Sequence, residues 1–175
     1  MKIEKDFLTI NPFSRPAKKI NTIKGIVIHW VANPNTTFIQ NRNFFENRKD
    51  GKSGYGSAHY IINLDRDVIQ CIPDEEMAYH VGAIEYNIDS VKKLSKHPNN
   101  CTLGIECCHV DWDGKMTPET YFSLTELTAY LLRKYNLNID NLYRHFDITG
   151  KNCHKWFVEN PALWEIFKNE INKIL

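Results

Sequence analysis

No stretch of this sequence approaches the ~20 apolar residues of a membrane span. No apolar run follows the basic N-terminal residues either, as it would in a secretory leader; the opening Met1-Lys2-Ile3-Glu4-Lys5-Asp6 is charged throughout. These absences predict synthesis in the cytoplasm and arrival at any outside target by another route. A surplus of charge is also missing, since 22 Lys and Arg face 21 Asp and Glu for a formal charge of +1. With so few uncompensated cations there is little counterion release to gain, which argues against nucleic acid or an anionic membrane as partner. The five cysteines, Cys71, Cys101, Cys107, Cys108 and Cys153, are odd in number and irregular in spacing. That is not the pattern of a disulfide framework, so at least one cysteine should have a different task. Repeats, low-complexity tracts and Pro/Ser-rich linkers are absent. The 175 residues therefore suit a single domain, able to bury roughly 70% of its unfolded surface without staples.

What is present is an alternation of strand-like and helix-like patterns, the mark of a mixed α/β domain with a central sheet flanked by helices. Gly25-Ile26-Val27-Ile28-His29-Trp30-Val31 is apolar on both faces, as a central strand would be. Thr37 and Gln40 form a capping-box pattern ahead of Phe38, Phe44 and Phe45. After a glycine-rich loop, residues 51–56, the runs 58–62 and 68–72 flank Asp65-Arg66-Asp67 and read as a hairpin. Residues 74–100 are irregular, with a short helix expected near Ser90 to Leu94. A further strand covers 102–108. Thr117-Pro118-Glu119 supplies a cap, a first-turn proline and an acid for a helix whose Leu124, Leu127 and Leu131 share a face. A last strand should reach Arg144-His145. A closing helix over 160–174 should turn Leu163, Ile166, Phe167, Ile171 and Ile174 inward.

Three places carry chemistry. His29 is a titratable side chain in the most apolar strand, and burial demands partners for both its nitrogens; a core histidine bonded to backbone meets that demand as well as a ligand does. His145 and Cys153 lie eight positions apart (153 − 145) across a loop that can fold back on itself. Imidazole and thiolate are preferred ligands of zinc, whose catalytic sites use three protein ligands and leave a fourth position for water. The spacing alone equally fits a surface histidine and an inert cysteine. Glu106 alternates with Ile105 and Cys107, so it is either a desolvated carboxylate with a raised pKa or a strand-edge residue facing water. Lys151 is a solvated loop lysine or a cation held near a developing oxyanion.

The strand Gly25 to Trp30, the segment Ser57-Ala58-His59-Tyr60-Ile61-Ile62, the strand Leu103-Gly104-Ile105-Glu106-Cys107 and the block Arg144-His145-Phe146-Asp147-Ile148-Thr149-Gly150-Lys151-Asn152-Cys153 together resemble the zinc-dependent N-acetylmuramoyl-L-alanine amidases. These are the group related to peptidoglycan recognition proteins and common among bacteriophage endolysins. The resemblance runs in order over about 25–153, which would be the motif-bearing core of one catalytic domain spanning 1–175. It implies one Zn2+ held by His29, His145 and Cys153, with Glu106 as catalytic carboxylate and Lys151 beside the metal. Ala78-Tyr79-His80-Val81-Gly82 is similar to a segment lining the family's substrate groove, which makes His80 a substrate contact. The implied reaction is cleavage of the amide between N-acetylmuramic acid and L-alanine in bacterial peptidoglycan, by a monomer released to the wall through a holin if phage-encoded. A non-catalytic wall-binding module, or an amidase with an added protein-inhibitor role, are the alternatives. Two positions depart from the pattern. His154 stands where many relatives have Pro, and Ala58 where some have a catalytic Tyr, with Tyr60 two residues on. After Cys153 only a closing helix fits, so no separate cell-wall-binding domain is expected.

Overall fold

The computed structural model describes residues 2–175 as a six-stranded mixed sheet with helices on both faces. The strands are β1 (Ile3–Lys5), β2 (Gly25–Trp30), β3 (Tyr60–Ile62), β4 (Val68–Gln70), β5 (Thr102–Cys107) and β6 (Leu142–Arg144). Their order is β1-β4-β3-β5-β2-β6, and every neighbouring pair is parallel except the hairpin β3–β4. The central pair β2–β5 explains its own apolar sequence: all their residues are buried except Trp30 and Glu106, which are partly exposed near the carboxyl ends. The charged N-terminus holds a strand after all. β1 sits at the sheet edge with Glu4 and Lys5 exposed, where charge deters pairing with another chain.

The helices are α1 (Phe38–Asn47), α2 (Ile88–Lys93), α3 (Pro118–Lys134), α4 (His145–Thr149), α5 (Lys155–Glu159) and α6 (Pro161–Ile174). The expected cap on α1 is present, with Thr37 and Gln40 bonding reciprocally. On α3, Thr117 Oγ1 accepts the Thr120 N–H at 3.0 Å and donates to the Leu64 carbonyl at 2.7 Å. One face of the sheet packs Ile26, Ile28, Leu103 and Ile105 against Leu124, Leu127 and Leu131 of α3 and against α6. The buried face of α6 is the expected one only in part: Phe167 and Ile171 are buried and Leu163 packs against the core. Trp164 also points inward, whereas Ile166 and Ile174 are about half exposed. The cause is an aromatic cluster in which Phe157 of α5 lies 5.3 Å from Trp164 and 5.1 Å from Phe167; α5 was not legible as a helix, so its claim on Trp164 was hidden. On the other face of the sheet, Phe45 of α1 covers Ala58 and Ile61, and Val27 packs with Ile148 of α4.

Tyr60 belongs to the α3 face, away from the cleft described below. Its hydroxyl donates to Asp74 Oδ1 at 2.5 Å, and Asp74 also accepts from Gln70, Lys134 and Tyr135. Burial alone would raise the Asp74 carboxyl, but the bonds from Lys134, Tyr135 and Tyr60 outweigh it and hold the group below its ordinary value. Tyr60 therefore helps to stabilise a buried carboxylate. Hydrogen bonds to charged groups contribute about 1.5–3 kcal/mol, so Tyr60→Phe should lower the urea unfolding free energy by about that amount. A variant as stable as the parent protein would contradict this role.

Candidate metal centre

Three adjacent parallel strands, β5, β2 and β6, end at the same side of the sheet, and each delivers one polar side chain there. His29 is the fifth residue of β2 and pairs directly with Glu106 of β5, so the two side chains leave the same face. β6 ends at Arg144, and His145 opens the short helix α4 where the sequence suggested the end of a strand. Clefts of α/β sheets lie at such carboxyl ends. Cys153 comes from the segment after α4. Gly150 ends that helix in the left-handed conformation, at φ 77°, which a residue without Cβ adopts freely. The Phe146 N–H then donates to the Cys153 carbonyl at 2.8 Å, which brings the thiol back beside His145. Arg144 ties the turn down through a bidentate pair with Asp147 and a bond to the Phe157 carbonyl.

The result is a tight, buried cluster. His29 Nδ1 stands 3.1 Å from His145 Nδ1 and 3.7 Å from Cys153 Sγ, and the ligand atoms of the three residues all lie within 4.8 Å of one another. Two facing imidazole nitrogens can share only one proton between them, and His145 Nε2 is buried without a partner among the described residues. A nitrogen–nitrogen–sulfur donor set of this compactness fits a borderline-soft divalent ion. Glu106 Oε2 is shut off from solvent without a partner, and Lys151, exposed at the rim, lines the same cleft. The cleft encloses about 340 Å³. Phe44, Tyr55 and Arg48 also line it, none of which the sequence marked as a site residue. Arg48 sits 4.6 Å over the Phe44 ring and donates to the carbonyls of Ser53 and Gly54, holding the glycine-rich loop in place.

The remaining histidines sort clearly. His80 borders the cleft, yet both of its ring nitrogens are engaged inside the protein, one with His29 and one with Thr102. His59 accepts the Gly104 N–H through Nδ1 and bonds the Glu76 carbonyl through Nε2. His154 is fully buried, and neither of its nitrogens has a partner among the described residues. It packs 5.0 Å from Phe157 and is not part of the three-residue cluster.

Electrostatics follow from this burial. Burial pushes the Glu106 carboxyl up to about 8, against a smaller opposing pull from Lys151. It also pushes the Cys153 thiol up, with Glu106 adding to the effect. The imidazole of His29 falls well below its ordinary value through burial first, then the neighbouring His145 and His80. His145 drops to about 4, through burial and Lys151.

Two imidazoles and a thiol converging at adjacent strand ends of an α/β sheet form a candidate metal site, and comparison with known proteins makes the class specific. The family profile described as N-acetylmuramoyl-L-alanine amidase (Amidase_2) matches residues 19–156, and the chain belongs to that family. It is 35% identical to a "Probable N-acetylmuramoyl-L-alanine amidase" of Bacillus licheniformis and 31% identical to the N-acetylmuramoyl-L-alanine amidase CwlL of the same organism. Each match covers 100% of this chain and 48% of the relative, so the chain spans about half the length of these curated relatives. Among solved structures, the catalytic domain of XlyA superposes with a TM-score of 0.76 at 21% identity, covering 98% of this chain and 99% of that one. PlyL does so with 0.76 at 20% identity and 98% of both chains. At that identity the likeness establishes the fold.

Six of the seven histidines are buried, which sets the response to acid. His59 and His154, which touch no proposed ligand atom of the cluster, are depressed by burial from 6.5 to about 4 and about 3. Unfolded histidines take up protons as pH falls through about 6.5, while the folded ones resist. Stability from these groups is therefore complete above about pH 6.5 and is lost progressively below it. Glu106 acts in the opposite sense, because the folded protein keeps its carboxyl protonated up to about pH 8; it is one group against six. The urea midpoint of the metal-free protein should fall steadily from pH 7 to pH 4.5, and a flat profile would contradict this account.

Proposed function

We propose that this domain hydrolyses the amide between the lactyl group of N-acetylmuramic acid and L-alanine in bacterial peptidoglycan, using one zinc ion held by His29, His145 and Cys153. The observation that carries the reading is the convergence of those three side chains beside a desolvated Glu106, within a chain of the amidase family. Tetrahedral coordination at Zn–N of ~2.0–2.1 Å and Zn–S of ~2.3 Å separates donor atoms by roughly 3.3 Å (N to N) and 3.6 Å (N to S). The separations of 3.1 and 3.7 Å found here lie close to those values. Held by His29, His145 and Cys153, zinc would supply a Lewis acid that makes water more acidic and polarises a carbonyl oxygen.

The protein's own groups supply the proton transfers. Glu106 takes a proton from the attacking water and hands it to the leaving alanine nitrogen; burial raises its pKa in the metal-free protein, while the charge of Lys151 and that of a bound dication would favour the ionised form that accepts the proton. Lys151 at the rim provides positive charge for the oxyanion that develops as the amide carbonyl is attacked. Tyr79 and the exposed Tyr55 and Phe44 offer aromatic surface along the same cleft for a sugar–peptide substrate. No helix among the described residues is long and apolar enough to cross a membrane.

General acid–base catalysis contributes about 10²–10⁴ in rate, so Glu106→Gln should lower kcat by about that factor and leave the zinc content at one per chain. Near-normal turnover would remove Glu106 from the mechanism. Metal analysis after dialysis separates the two neighbouring candidates for the third ligand: Cys153→Ala should lose zinc, whereas His154→Leu should retain it. The reverse result would overturn the ligand assignment. Mass spectrometry of fragments released from purified cell walls reads the reaction directly. Peptides with a free L-alanine amino terminus are expected, and cuts within the glycan or between peptide residues would refute the proposed bond.

A further inference from the structure

Behind His29 runs a chain of hydrogen bonds that ends on the backbone of the protein. His29 Nε2 lies 3.0 Å from His80 Nδ1. His80 Nε2 lies 3.1 Å from Thr102 Oγ1 and 3.3 Å from the Thr102 carbonyl. Thr102 Oγ1 in turn donates to the Pro98 carbonyl at 2.8 Å. The direction of every bond in the chain follows from its far end. A carbonyl only accepts, and a hydroxyl whose proton is already given to Pro98 can only accept as well. His80 Nε2 must therefore carry the proton, which leaves His80 Nδ1 bare. A bare Nδ1 requires the proton of His29 on Nε2, so His29 Nδ1 presents its lone pair to His145 and Cys153.

The ring of His80 is held firmly enough to enforce this. Asn99 Oδ1 accepts the backbone N–H groups of both His80 and Val81, at 3.2 and 2.9 Å. Gly104 forms the floor beneath the ring, where an added Cβ would stand 2.5 Å from His80 Cγ. His59 fixes that floor by accepting the Gly104 N–H at 3.0 Å. The His29 and His80 rings stand 88° apart in plane with centroids 5.1 Å apart, and the atoms that face each other are His29 Nε2 and His80 Nδ1.

We propose that His80, backed by Thr102, is a positioning residue that locks His29 in the tautomer able to bind metal through Nδ1. This assigns His80 a role through His29 instead of a contact with substrate, and it rests on the reading of His29 as a metal ligand. Outer partners of this kind typically account for 10–100-fold in metal affinity.

The test uses the whole chain without metal, 15N-labelled, at neutral pH. Two-bond proton–nitrogen correlations of the His29 ring should show the proton on Nε2, and a proton on Nδ1 in the parent protein would overturn the proposal outright. Zinc affinity measured by competition with a chromogenic chelator should fall about 10–100-fold in His80→Ala. It should recover to within a few-fold of the parent in His80→Asn, whose Oδ1 falls near the place of the missing Nδ1. Unchanged affinity in His80→Ala, or His80→Asn as weak as His80→Ala, would refute it. Should His80→Ala fail to fold, the parent tautomer and the His80→Asn affinity still decide the matter. Neither readout involves turnover, so a failure of the proposed amidase reaction would leave them intact and be recognised separately.

Discussion

The parallel register of β5, β2 and β6 is the constraint on which the rest of the molecule depends. In parallel strands the carboxyl ends coincide, so residues near the end of each strand meet without any long-range reach by side chains. Pairing His29 with Glu106 across β2–β5 sets imidazole and carboxyl on one face, and β6 adds His145 at the neighbouring position. A shift of one residue in any of these strands would turn its functional side chain to the opposite face, into the apolar layer under α3. The apolar character of β2 and β5 is thus both a packing requirement and the means by which the register is held. Cys153 alone depends on a loop, and there a left-handed glycine and a backbone bond between Phe146 and Cys153 do the work that strand pairing does elsewhere.

Burying this much polar chemistry is costly unless each group is neutral or satisfied, and the protein uses different means in different places. Asp74 stays ionised because four donors surround it. Glu106 has no such donors, so in the metal-free protein burial raises its pKa instead. The histidines are kept neutral by burial, which is the state an imidazole needs to ligate a metal. In His29, His80 and Thr102 neutrality is joined to direction, since a chain of bonds decides which nitrogen is free. His59 serves the same region from behind by holding the backbone on which His80 rests.

Much of this was legible in the residues. Alternation and capping patterns located the main strands and α1, α3 and α6, because long periodic segments report their own burial. His29 was conspicuous as a polar residue in an apolar strand, and the block from Arg144 to Cys153 was specific enough to tie it to a family. The misreadings lie at element ends and in the C-terminal helices. His145 was placed at the end of a strand, although the reciprocal bonds of Arg144 and Asp147 open α4 there; α5 was not foreseen and Trp164 was missed on the inward face of α6, since both depend on the aromatic packing of Phe157, Trp164 and Phe167, which no local pattern encodes. Tyr60 kept a possible place at the site until its strand register put it with Ile105 on the α3 face.

The sequence by itself determined the class of domain, the helices and strands with strong periodicity, and the list of side chains able to do chemistry, because residue type and spacing carry that information directly. The tertiary structure decided which of those side chains meet. It brought together residues 116 and 124 positions apart at 3.1 and 3.7 Å, excluded His154 although it adjoins Cys153, and turned both nitrogens of His80 inward. Proximity across so many residues arises only from strand pairing and loop closure. The environment that sets a proton on one nitrogen or another exists only once those elements have packed.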